Sequence, residues 1–148
     1  MKNIINALLY IWQLPQNILG LILLLFYKYE DNVVTAKNGN KIYFSKYMTG
    51  GISLGKYSII NSYYAGYKSK TKPLLTTKEI LKLDVVKHEA LGHGTQSRYL
   101  GPFYLLVIGL PGIIWAWIYG KIIPYTKNGY YVFYTEKWAD KLGGVIRK

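Results

Sequence analysis

His88-Glu89-Ala90-Leu91-Gly92-His93 sets two imidazoles and a carboxylate within one short run of a 148-residue chain. Neutral imidazoles on one helix face can hold a cation, and a carboxylate beside the open position can take a proton from the water bound there. Glu89 directly follows the first imidazole and suits that second task. The chain has no Cys, which excludes a disulfide scaffold and a thiolate site, so any metal must be held by His and carboxylates. The spacing carries a geometric demand. At about 100° per residue, positions five apart on an α-helix diverge by about 140° and cannot share one ion. A single π-type turn, with its five-residue repeat, brings His88 and His93 back into line, and Gly92 lowers the cost of the distortion.

A second cluster lies near the C-terminus. Glu136 and Asp140 stand one turn apart on an expected helix over 130–142, which Gly143-Gly144 ends. By itself this face suits solvent, with Lys137 and Lys141 as ion-pair partners.

The first motif resembles the HExxH helix of the gluzincin metallopeptidases with one residue added, a spacing similar to the HELLGH of dipeptidyl peptidase III. Glu136-Lys137-Trp138-Ala139-Asp140-Lys141-Leu142-Gly143 is similar to the E-x-E-A-D-x-x-G signature of membrane proteases related to the bacterial heat-shock protease and the CAAX prenyl protease. Trp138 replaces the middle acidic residue of that signature. The resemblance implies one zinc ion held by His88, His93 and Glu136, with Asp140 fixing the tautomer of a ligand imidazole. It also implies Glu89 as general base in the hydrolysis of a peptide or membrane-protein substrate. The oxyanion-stabilising role stays open among Tyr130, Tyr131, Tyr134 and an Arg, in a chain with 16 Tyr. The alternative is a catalytically inactive zincin-like membrane protein that binds a peptide, lipid or protein partner.

These residues need elements to position them. Thr76 and Glu79 form a capping-box pattern that opens an active-site helix over 76–100, with Pro73 upstream and Gly101-Pro102 at its end. Ahead of it, 32–61 reads as a small antiparallel sheet. Asn38-Gly39 between Val33–Ala36 and Lys41–Phe44 predicts a hairpin, and 52–60 predicts a third strand. Such a sheet edge can take an extended peptide by strand addition. Ser62–Pro73 reads as a solvated or interfacial loop.

Two apolar stretches complete the chain. Residues 4–26 carry no charge, are long enough to cross a bilayer, and run into Tyr27 and Lys28 rather than a cleavage site, which predicts a retained anchor. Gln13, Gln16 and Asn17 share a helical face there beside a kink at Pro15 and require protein or water partners. The stretch 102–119 lies between His93 and Glu136, so it must return to the side it left if both are to bind one ion. Gly109-Leu110-Pro111-Gly112 predicts the reversal of a re-entrant or interfacial hairpin, with the amides as its partners.

The expected fold is therefore a single-domain α+β membrane protein. Its 19 Lys and Arg against 7 Asp and Glu give a net charge of +12. The lysines are scattered through loops rather than aligned on one element, which argues against nucleic acid as a partner. Because the basic residues follow the first apolar segment, a single crossing would put the site on the cytoplasmic side of a bacterial inner membrane, whereas a hairpin at Pro15 would make the protein monotopic and leave the side open. A protein of the membrane surface that uses its basic face on anionic lipid is a further reading of the same charge.

Overall fold

A computed structural model describes residues 2–30, 32–66, 75–121 and 129–147. Asn38 and Gly39 turn the chain between strands β1 (Val34–Thr35) and β2 (Lys41–Ser45), with Gly39 at φ 84° and its N–H bonded to Ala36 O. The expected third strand is two strands, β3 (Gly51–Leu54) and β4 (Tyr57–Asn61), turned by Gly55 at φ 62°. β3 and β4 pair antiparallel, but β4 also pairs parallel with β2. The sheet is thus mixed rather than antiparallel, in the order β1-β2-β4-β3. Alternation gives it two distinct faces. Ile42, Phe44 and Ile60 point to the helix over 84–100 and form the core with Val86 and Ala90. Tyr43 and Tyr57 point the other way, toward the N-terminal helices.

The capping box forms as predicted: Thr76 Oγ1 accepts the Glu79 N–H, and Glu79 Oε2 accepts the Thr76 N–H. The helix it opens, α3, runs only over Thr77–Ile80, and a second helix starts at Asp84. The break has a packing reason. Ile80 and Val86 are both buried in the sheet core, yet on one unbroken helix residues six apart point about 120° away from each other. The expected single helix over 76–100 is corrected to α3 plus a helix over 84–100.

The N-terminal anchor is likewise not one span. α1 (Lys2–Trp12) and α2 (Leu14–Phe26) meet at 84° around Gln13. Pro15 does not kink a continuous helix; it sits in the first turn of α2, where a missing N–H leaves no bond unmade. No single helix among the described residues is long and apolar enough to cross a membrane.

The chain reverses at Gly101–Phe103 and not at 109–112. Gly101, at φ 52°, ends the helix over 84–100, and the following helix, Leu105–Lys121, leaves at 118°. Pro111 lies inside that helix. Its ring removes the donor that would bond the Val107 carbonyl, and the Tyr134 hydroxyl donates to that carbonyl instead. The π-type turn Leu105–Gly109 lies just ahead of the proline. The amides do serve the reversal, at its actual position. Gln16 Nε2 donates to Gly101 O at 2.8 Å and to Ser97 Oγ at 3.0 Å, and Ser97 Oγ donates to Gln13 Oε1. Asn17 Oδ1 accepts the Lys56 N–H. Of the expected loop, Ser62–Ala65 is a 3₁₀ turn, and its later part, 67–74, lies outside the described residues.

Candidate metal centre

The helix over 84–100 changes its winding where the two imidazoles stand. Lys87–His93 is π-helical, and the Gly94 N–H reaches back to Glu89 O, five residues away. This is the turn that the His88–His93 spacing demands, and it brings the two rings to 4.8 Å between centroids, edge to face. Gly92 has a second use beyond backbone freedom. The C-terminal helix, Tyr134–Gly143, crosses so closely that a Cβ on Gly92 would overlap the Ala139 carbonyl, and one on Gly143 would overlap the Lys87 carbonyl. That close approach carries Glu136 and Asp140 to His88.

His88, His93 and Glu136 are buried and lie close enough to bind a metal ion, with one ligand atom from each within 4.8 Å of the others. Glu136 Oε2 is 3.1 Å from His88 Nε2 and 3.7 Å from His93 Nε2. Each ring is held at its other nitrogen. His88 Nδ1 meets Asp140 Oδ1 at 2.6 Å, and His93 Nδ1 meets Gln96 Oε1 at 2.7 Å. Gln96 is oriented in turn by donating from Nε2 to Thr135 O, and Thr135 Oγ1 donates to Glu136 Oε1. With Nδ1 tied to an acceptor, each imidazole presents Nε2 to the centre, the arrangement that fixes a metal-binding tautomer.

Charge in the site is strongly coupled. Burial pulls the His88 pKa down, but hydrogen bonds to Asp140 and Glu136 outweigh it and raise it to about 9. Burial would raise the Glu136 and Asp140 carboxyls, yet the bonds from His88, joined by His93 on Glu136 and by Arg147 on Asp140, hold both below the usual carboxylate range. Arg147 grips Asp140 with two bonds, Nε to Oδ2 at 2.7 Å and Nη2 to Oδ1 at 2.9 Å, and lies over the Tyr131 ring at 3.2 Å.

Glu89 is buried beside the cluster, against the edge strand β3. Ser53 Oγ donates to Glu89 Oε2 at 2.9 Å, and Ser53 Oγ also meets Ser58 Oγ. Gly51 makes room for the carboxylate, since a Cβ there would overlap it. Of the tyrosines left open for the oxyanion, Tyr131 stands edge-on to His88 at 5.4 Å and Tyr130 packs on Tyr131, whereas the Tyr134 hydroxyl is engaged at Val107 O.

All five residues named from the motifs therefore meet in one place. The supporting residues Ser53, Gln96, Thr135 and Arg147 carry no motif. Only Gln96, one turn after His93, had a readable signal in its spacing; Ser53 comes from the sheet, 36 residues before Glu89, and Arg147 lies past the end of the helix that carries Asp140. No family model, no curated protein and no solved structure matches the chain.

Proposed function

We propose that the protein is a zinc-dependent metallopeptidase seated at a membrane and acting on a peptide or membrane-protein substrate. The observation that carries this reading is the convergence of both Nε2 atoms on Glu136 while each Nδ1 is held from behind. Ligand atoms about 2.0–2.1 Å from a tetrahedral zinc stand roughly 3.4 Å apart. The 3.1 and 3.7 Å separations here bracket that value. Two imidazole nitrogens and one carboxylate oxygen also match a catalytic zinc donor set, which leaves a fourth position open.

When bound, zinc makes a water acidic and polarises the substrate carbonyl. Glu89 takes the proton that the attacking water loses and passes it to the leaving amine. Ser53 holds one oxygen of that carboxylate, and the other lies against Gly51 on β3. Asp140 and Gln96 keep the two rings from turning. An extended peptide that adds to the edge strand β3 at Gly51 runs past Glu89; at Ser53 it has to displace the Tyr104 hydroxyl from the carbonyl.

The test is metal content by mass spectrometry, with peptide hydrolysis, on detergent-purified wild type, His93→Ala, Glu136→Ala and Glu89→Gln. One zinc per chain is expected in the wild type and in Glu89→Gln and is expected to be lost in the other two. Hydrolysis is expected to fall on the order of 10²–10⁴-fold in Glu89→Gln. Wild type that is metal-free without chelator and refuses added zinc removes the reading. Zinc-loaded wild type no more active than Glu89→Gln leaves a binding site in place of an enzyme.

A further inference from the structure

α2 is amphipathic in the opposite sense to a helix on a water-exposed surface. Gln16, Asn17 and Gly20 are buried on its inner face, while Leu14, Ile18, Leu21 and Leu25 are exposed on the outer one, Leu25 to 85%. α1 turns Ile4, Leu8 and Ile11 outward, and the helix Leu105–Lys121 turns out Leu110, Ile113 and Trp117. No charged residue occurs in 3–27 or in 99–120. Cations stand at the borders: Lys28 follows α2, Lys121 ends the later helix, and Lys56 Nζ reaches Asn6 O on α1. Three of the seven carboxylates, Glu89, Glu136 and Asp140, are buried in the site, which leaves few anions to face the 19 cationic residues. The apolar surface is thus rimmed by unbalanced positive charge, the complement of an anionic headgroup layer.

The depth is set by helix length and by the site. α1 and α2, with 11 and 13 residues, are about 16 and 20 Å long, short of the ~30 Å hydrocarbon core, and they diverge at 84°. Leu105–Lys121 is longer, but Gly112 near its middle packs on the centre: a Cβ there would lie 3.9 Å from Glu136 Oε1. Were this helix transverse, it would carry Glu136 and its neighbours to the bilayer midplane, where ionised groups are costly. Lying along the interface, it keeps them at headgroup level.

We infer that these three helices are seated in one leaflet of an anionic bilayer and that none of them crosses it. This deepens the membrane part of the function proposed above and is independent of catalysis. It also replaces the single crossing from which a cytoplasmic site was expected: both ends of the chain lie on the face the protein binds from.

The experiment adds the full-length protein, tagged at either end, to preformed sealed vesicles. One set contains phosphatidylcholine and phosphatidylglycerol in equal parts, and the other phosphatidylcholine alone. Flotation with the mixed vesicles is expected, with both tags cleaved by external protease. Lys28→Gln and Lys121→Gln are each expected to weaken that partitioning about fivefold, the effect of roughly 1 kcal/mol per cation at an anionic surface. One tag protected and the other cleaved would overturn the one-leaflet seat and leave a membrane protein that spans. Protein left in the aqueous phase with both vesicle sets would remove the membrane reading as well, whatever the metal assay gives. Equal partitioning into the two compositions would remove the anionic requirement.

Discussion

Before His88 can accept a cation at Nε2 it must give up the proton that Asp140 and Glu136 hold on it up to about pH 9. The sign of the pH dependence follows. A group whose pKa is raised in the folded state contributes stability that is complete below its unfolded value, about 6.5 for His, and is lost as pH rises through the folded value. The metal-free protein is therefore expected to lose thermal stability between pH ~6.5 and about 9. Zinc stabilisation should grow over the same interval, by up to tenfold in apparent affinity per pH unit, because binding releases that proton. Thermal scans across that range are expected to show the metal-free form falling while the zinc form stays level, because the growing zinc stabilisation offsets the loss. Arg147 acts one step further out, through Asp140. Arg147→Ala is expected to weaken zinc binding by roughly 10–100-fold, the usual cost of losing an outer-shell partner. Arg147→Lys should restore little of it, since a point charge reproduces neither the two-bond grip nor the packing on Tyr131. Chelator competition measures both. At this scale the candidate ligands were legible because their types and spacing are what metal chemistry requires. Arg147 was not, because nothing in a C-terminal Val145-Ile146-Arg147 points to a carboxylate buried in the preceding helix.

Among the elements, the π turn is the feature the motif demanded most directly, and its geometry was readable from one inserted residue. Its maintenance was not, because it depends on a helix from the other end of the chain pressing on Gly92. Gly92→Ala is expected to push the Tyr134–Gly143 helix away. The cost should be about 1–3 kcal/mol of stability, the range for overpacking, together with much of the zinc, because Glu136 moves with that helix. Unfolding curves and metal content on one preparation separate this from a local effect. Elsewhere local signals were reliable where the bonds are local. The Asn38-Gly39 turn and the Thr76–Glu79 box formed as read. They misled where tertiary partners intervene. Pro111 looked like a turn, but Tyr134 supplies the donor that lets it stay helical. The run 52–60 looked like one strand because Gly55 was the only break in it, and the parallel pairing of β4 with β2 is set by burial of Ile42, Phe44 and Ile60 against the helix over 84–100.

On the scale of the molecule, hydropathy identified which segments avoid water but not how they are bent, since composition is blind to the 84° and 118° angles that bonds from Gln13 and Gln16 help to hold. Those same bonds change what the N-terminal segment is. Residues 2–26 are a floor of the fold more than a leash: without them the Gly101 carbonyl and the Lys56 N–H would each lose their amide partner in the interior. The candidate metal site freed from its apolar N-terminal helices is therefore not to be had by trimming this end, and the two are one piece of architecture.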